Sequence, residues 1–293
     1  MEPQRPSRTA WGAARHRAMH QIVEGGRIFR DPLAVAILGG VGEAEDEGLV
    51  FEKDDEPGAK MLRFFIAARS AHAEAKLAEA VERRGASQLV VLGAGFDTFA
   101  CRNPFGDALR VFEVDHPATQ AWKRERLAAM EIEPPRWPTF AGVDFERESF
   151  AEALVRAGFD PQRRSFVFWL GVSMYLSPAA IDATLAAVAG WPGGGEIVFD
   201  YAEPQHDGMS EQGKAARAAL QARVAAVGEP MIGWLEPEAL HARLAALGYR
   251  AVEDLAGIDL AERFLGPEIA AAARAARAAG QRRGGGHVLF ART

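Results

Sequence analysis

In VVLGAGFDT, residues 90–98, a run of apolar residues breaks into glycine at Gly93 and Gly95 and ends at Thr98. Without side chains, the backbone at such a point can turn tightly and approach a ligand closely, as a nucleotide-binding loop requires. The dinucleotide pattern G-x-G-x-x-G asks for a third glycine where this chain has Thr98, and that weakens the dinucleotide reading. Further on, VFEVD ends in Asp115, with Glu113 two residues before it. A carboxylate at a strand end can accept both ribose hydroxyl hydrogens of an adenosine, whether a dinucleotide or a sulfonium cofactor carries it. An aspartate opening a turn before Pro117 would look the same. A third acid, Asp144, stands beside Phe145 after the short apolar run TFAGV. It could accept an adenine amino proton while the ring packs on the base, or it could cap a helix over ERESFAEAL.

The elements that must position these residues follow from periodicity. Ser7 to Glu24 reads as a helix, and DPLAVAIL from Asp31 as a short helix with Asp31 as N-cap and Pro32 in the first turn. GGVGEAEDEG at 39–48 reads as an exposed loop, and residues 59–84 carry apolar side chains at helical spacing. After Gly85, short apolar runs alternate with helical segments: QLVVLGA, LRVFEVD, SFVFWLGV, EIVFDYA, YRAVEDLA and HVLFART. Such alternation implies crossover units and a mostly parallel sheet covered on both faces, hence an α/β, doubly wound architecture. Ser177-Pro178 and Glu236-Pro237 mark helix starts. Residues 203–234 exceed an ordinary strand-to-helix loop and would overhang the C-terminal strand ends, where such sheets bind ligands. Residues 267–286 read as a solvated Ala/Arg-rich helix followed by a flexible joint.

Composition narrows the function classes. Thirty-four Lys and Arg against 40 Asp and Glu give a net charge of -6, without the basic excess that would neutralise phosphates along a nucleic acid. Cys101 is the only cysteine, so the chain forms no internal disulfide or multi-cysteine metal centre, and no metal is expected. The N-terminal stretch is polar and no apolar run approaches a bilayer span, so a cytoplasmic protein without membrane association is expected. The sequence sets no oligomeric state.

SRTAWGAARHRA, GRIFRDPLA, AARSAHAEAKL, VVLGAGFDTFACR, FEVDHPATQAWKRERL, GVDF, GVSMYL and VFDY occur in an order that resembles the leucine carboxyl methyltransferase family, especially its bacterial small-molecule O-methyltransferases. The resemblance implies a class I fold: a Rossmann-like, doubly wound, mostly parallel seven-stranded sheet with an antiparallel C-terminal strand. It also implies a helical N-terminal cap over 1–84 and a core over 85–293 with a helical lid insertion at 203–234, the whole forming one structural unit. S-adenosyl-L-methionine is the implied cofactor. Gly93 and Gly95 would face its methionine part, Asp115 its ribose, Asp144 and Phe145 its adenine, and Arg69 its carboxylate, with Arg17 as a further basic contact. On its own chemistry Arg69 reads as a surface arginine. The chain departs from the family in WLGV, where Leu170 replaces the usual acid and would pack on the cofactor instead.

Methyl transfer from a sulfonium is an in-line displacement, so alignment is the main task. A carboxylate acceptor would need no base, whereas a hydroxyl acceptor would benefit from one. Tyr175 and Tyr201 are each placed to orient a substrate oxygen or to pack at the core edge, and His206 could serve as a base or be an ordinary loop histidine. The expectation is an O-methyltransferase acting on a small organic molecule. An NAD(P)-dependent oxidoreductase and a non-catalytic cofactor-binding protein are the rival readings.

Overall fold

The computed structural model describes residues 7–39, 57–132, 137–143, 148–206, 209, 211–278 and 286–293. Seven strands, β1 (Gln88–Leu92), β2 (Arg110–Asp115), β3 (Thr139–Gly142), β4 (Ser165–Trp169), β5 (Gly195–Ala202), β6 (Ala251–Leu255) and β7 (Gly286–Arg292), form one sheet in the order β3-β2-β1-β4-β5-β7-β6. β1 pairs in parallel with β2 and with β4, and β2 with β3. β7 runs antiparallel to both β5 and β6. The run QLVVL is buried throughout, as is SFVFW, which is why neither strand alternates apolar with polar residues. The expected fold is therefore the observed one, including its antiparallel last strand.

The chain divides into two compact units, Met1–Phe168 with Trp191–Gly195, and Trp169–Gly190 with Glu196–Thr293. In the first, α1 (Arg8–Val23) starts at Ser7, whose hydroxyl accepts the Ala10 N–H at 3.1 Å. α2 (Pro57–Arg84), α3 (Phe99–Arg102), α4 (Pro117–Ala129) and α5 (Phe150–Arg156) follow. Glu24 takes a two-pronged contact from the buried Arg63 of α2, with Nη2 at 2.6 Å and Nε at 2.9 Å, and so fastens the end of α1 to α2. In the second unit lie α6 (Pro178–Ala189), α7 (Glu211–Ala226), α8 (Pro237–Ala246), α9 (Gly257–Phe264) and α10 (Pro267–Ala278). Ser177 caps α6 through the Ala180 N–H at 3.2 Å.

The DPLAVAIL segment differs from expectation. It forms turns and a 3₁₀ helix, Ala36–Leu38, instead of an α-helix. Asp31 does accept the Leu33 N–H at 3.0 Å, in the manner of a turn, but the rest of its carboxylate is committed to distant residues. The stretch 40–56 lies outside the described residues. Among the described residues no helix is long and apolar enough to cross a membrane.

Candidate functional site

The glycine loop leaves β1 with Gly93 and Gly95 at φ +64° and +47°, values that favour glycine. Gly93 and Ala94 donate their N–H groups to Val114 O at 2.8 and 3.2 Å, tying the loop to the last residues of β2. Asp115 completes the junction: Oδ2 accepts the Gly95 N–H and Oδ1 the His116 N–H, each at 2.6 Å. The loop and the second acid, 20 positions apart, are thus joined directly. Burial pushes the Asp115 carboxyl above its usual range, and the two backbone donors partly restore the ionised form.

α1 lies on this loop. A Cβ on Gly95 would sit 3.2 Å from the Ala10 Cβ. Trp11 meets the Phe96 ring edge-on at 5.5 Å, and Trp122 of α4 lies 5.3 Å from Trp11 and 4.5 Å from Phe96. Arg17 donates to Phe96 O and pairs through Nε with Asp31 Oδ2 at 2.9 Å. In this arrangement Arg17 fastens α1 to the loop.

Asp31 is the centre of a network that sequence reasoning missed. Its carboxylate, 1 % exposed, accepts the Thr98 hydroxyl at 2.8 Å and faces Arg102 Nε at 3.3 Å as well as Arg17. Arg102 in turn donates to Thr98 Oγ1 at 2.9 Å and pairs with Glu74 of α2 at 2.7 Å. The residue that stands at the third-glycine position therefore spends its hydroxyl on holding the loop. The only sequence signal is the GRIFRDPLA motif itself, in which the acid reads as a cap.

Beneath Asp115, Lys123 of α4 pairs with Glu113 of β2 at 2.7 Å, both being buried. Burial raises the Glu113 carboxyl and Lys123 counters it. The Cys101 thiol is pushed up to about 11 by burial, which removes it as a nucleophile at neutral pH. Arg69 is 8 % exposed on α2, which corrects its reading as a surface arginine. Asp144 and Phe145 lie outside the described residues.

In the second unit, the segment after β4 turns at Gly171, φ +77°, whose N–H donates to the buried Asp200 Oδ1 at 2.5 Å. The Ser173 hydroxyl donates to Asp200 O at 2.6 Å. Leu170 is half-buried beside this turn, and Tyr175 is half-buried in the 3₁₀ helix Ser173–Tyr175. The end of the 203–234 insertion docks here, with the Ile232 and Gly233 N–H groups both donating to Met174 O at 2.9 Å. A methyl group on Gly233 would collide with Ser173 O and lie 2.8 Å from Leu176 O. The chain then rejoins β5 through a bridge between Ala202 and Trp234 and a bond from the Leu235 N–H to Ala202 O at 3.1 Å.

Tyr201 is not placed to hold a substrate oxygen. It is fully buried, donates to Asp254 Oδ2 at 2.6 Å and stacks on His287 at 4.7 Å between ring centroids. Burial, reinforced by the Asp254 carboxylate, pushes its phenol far above the usual range. His206 lies with Nε2 3.4 Å from Glu203 Oε1.

The model of the leucine carboxyl methyltransferase family matches residues 10–189, a span that holds most of α1, the Asp31 network, the glycine loop and Asp115. The chain belongs to the leucine carboxyl methyltransferase family. It is similar to the "Putative S-adenosyl-L-methionine-dependent methyltransferase YktD" of Bacillus subtilis (strain 168), being 34 % identical over 185 residues, 61 % of this chain and 59 % of YktD. A Mycobacterium avium (strain 104) family relative of the same description is 31 % identical over 205 residues, 65 % of each chain. The chain therefore spans less than two thirds of the length of these relatives. Two solved structures share the fold. A DUF574 family protein from Streptomyces avermitilis has a TM-score of 0.52 at 17 % identity, covering 92 % of this chain and 97 % of that one. A Thermobifida fusca protein has a TM-score of 0.54 at 17 % identity, covering 88 % and 92 %.

Proposed function

We propose that the chain is an S-adenosyl-L-methionine-dependent O-methyltransferase whose acceptor is a carboxylate or hydroxyl oxygen of a small organic molecule. The observation that carries this reading is the junction of Gly95 with Asp115 at the C-terminal ends of β1 and β2, in a chain of this family. The donor set suits the ribose of the cofactor. Each Asp115 oxygen takes one backbone N–H, and a carboxylate has about four acceptor positions, so one remains on each oxygen for a ribose hydroxyl.

Bound there, the cofactor supplies an electrophilic methyl group on sulfur. The chain's own work is then positional. Burial makes Asp115 costly to ionise, its two N–H donors oppose that cost, and its carboxyl group is assigned to the ribose. Gly93 and Gly95 leave the loop backbone bare for the methionine part, and Asp144 with Phe145 is assigned to the adenine. Arg69, buried on α2, offers a planar fork of donors for the methionine carboxylate. The Gly171–Tyr175 turn, braced by Asp200, presents Leu170 and Tyr175 at the end of β4, with Tyr175 assigned to orienting the acceptor.

Calorimetry with S-adenosylmethionine, S-adenosylhomocysteine and NADH tests the cofactor, with binding of the sulfur pair expected. Tight NADH binding with no response to the sulfur pair would overturn the reading in favour of an oxidoreductase. A labelled-methyl transfer screen over carboxylic acids and phenols, read by mass spectrometry, identifies the acceptor class. Cofactor binding without transfer to any of them would point to a non-catalytic protein.

A further inference from the structure

Lys123 and Glu113 form an ion pair at 2.7 Å in which both side chains are buried. Such a pair is weak support for a fold, since apolar side chains of similar size in its place often leave stability unchanged or raised. Its surroundings give it other work. Glu113 stands two positions before Asp115 on β2, and so on the same face of that strand. Lys123 stands three positions after Gln120 on one face of α4. The Gln120 amide donates to Glu113 O at 3.0 Å and to Ala141 O at 3.1 Å, which fastens that face to β2 and β3. α4 begins immediately after His116, whose N–H donates to Asp115 Oδ1.

The two acids are served unequally. Asp115 takes one backbone N–H on each oxygen. Glu113 Oε1 is buried and, among the described residues, has no hydrogen-bond partner. A carboxylate without donors holds its charge less well than one with them, so Glu113 is the first of the two to take up a proton. Lys123 is the cation they share: it counters the burial of Glu113, and it favours the ionised form of Asp115 as well. Around the pair stand also His116, which favours the Asp115 carboxylate, Asp97 of the glycine loop, which opposes that of Glu113, and the Cys101 thiol of α3. β3 meets Asp115 with Gly142.

We propose that Lys123 is a positioning residue for cofactor binding: Glu113 seats its ammonium beside Asp115, and the ammonium holds Asp115 as the carboxylate that receives the ribose hydroxyls. The word ribose rests on the methyltransferase reading; the relation of Lys123 to Asp115 does not. On acidification Glu113 takes up a proton first, and the charge of Lys123 is left facing Asp115 alone.

The test is S-adenosylhomocysteine affinity of the full chain, read by calorimetry from neutrality downward in pH. Lys123→Met should move the pH at which affinity is lost upward by about one unit, so that at a pH on the parent's acid limb binding is about tenfold weaker. Lys123→Arg should restore the parent's limb. Glu113→Gln, which breaks the same pair but keeps the cation, should leave the limb at or below the parent's. A merely structural pair would weaken binding alike in Lys123→Met and Glu113→Gln and leave the limb in place. An unmoved limb in Lys123→Met, or an upward shift in Glu113→Gln equal to that of Lys123→Met, would overturn the proposal. Should Lys123→Met fail to fold, Glu113→Gln/Lys123→Met leaves no buried charge behind and should show the same upward shift. Failure of S-adenosylhomocysteine to bind the parent would instead strike the cofactor reading. The Asp115 carboxyl carbon, identified by NMR through its loss in Asp115→Asn, then decides the role of Lys123 without ligand: its titration should move up in Lys123→Met, and an unmoved titration would overturn the proposal.

Discussion

Asp31→Asn is the most informative single change, because one carboxylate gathers the loop, α1 and α3. In the native arrangement Asp31 accepts from Thr98 Oγ1 at 2.8 Å and Leu33 N at 3.0 Å, and is paired by charge with Arg17 Nε at 2.9 Å and Arg102 Nε at 3.3 Å. Removing one side of a buried ion pair costs about 3–5 kcal/mol when the remaining charge has no other partner. Here Arg102 keeps Glu74 at 2.7 Å and Arg17 keeps Phe96 O, while the amide oxygen can still serve Leu33. The expected loss is therefore about 2–4 kcal/mol, part of it from turning an amide N–H toward donors. Urea unfolding at constant m-value reads this as a lowered midpoint. Thr98→Val alone should cost about 1 kcal/mol but much less in the Asp31→Asn background, where the hydroxyl has lost its acceptor. Unfolding free energies within about 0.5 kcal/mol of the parent, or strictly additive costs of the two changes, would refute the network as described.

Three further outcomes follow from the geometry. Asp115→Ala should weaken S-adenosylhomocysteine binding by about 2–4 kcal/mol through loss of charge-assisted acceptors. In the parent, burial places the Asp115 carboxyl above the usual aspartate range, so affinity should fall on acidification before an exposed aspartate would titrate, as calorimetry across pH would read. His20 accepts the Ile28 and Phe29 N–H groups through Nε2 and is buried, which lowers its pKa below 6.5, the Glu24 contact only partly opposing this. The unfolded chain therefore protonates first as pH falls through about 6.5, and stability should drop by up to about 1.4 kcal/mol per pH unit. Glu24 adds to the same trend lower down: burial raises its pKa, but Arg63 and His20 outweigh burial and leave it depressed, so its contribution is lost as pH falls through 4.5 and below. His20→Asn should flatten the stability profile as pH falls below about 6.5 relative to the parent in urea titrations. Gly233→Ala should destabilise by about 1–3 kcal/mol through overpacking against the Ser173 and Leu176 carbonyls; an unchanged unfolding midpoint would contradict the close approach.

What could be read in the chain before its structure was what depends on near neighbours. Ser177 announces α6 because a cap bonds three residues ahead, and QLVVL announces β1 because a strand buried on both faces has no polar alternation. The seven-stranded sheet and its antiparallel last strand follow from the family resemblance. Asp31 was misjudged because the residue that commits its carboxylate, Thr98, is 67 positions away, and no local pattern distinguishes a capping acid from a buried hub. Arg69 reads as a surface arginine on its own chemistry and as a cofactor contact only through the family resemblance; α2 carries it at 8 % exposure. Tyr201 was counted among possible substrate contacts because alternation along β5 does not reveal that Asp254, on β6, already takes its hydroxyl.

That insertion leaves β5 at Ala202 and returns to the same residue through Trp234 and Leu235, having first touched down on Met174. Its two ends are thus stapled at one place while the sheet beneath is built without it. Closing a longer loop between fixed ends costs only about 0.6 kcal/mol for each doubling of its length. The stretch between Glu203 and Met231 can therefore be exchanged, shortened or extended with little effect on the sheet, provided the Ile232–Leu235 clasp is kept. On the proposed function, grafting the corresponding segment from a relative should change the acceptor while leaving cofactor affinity as it is.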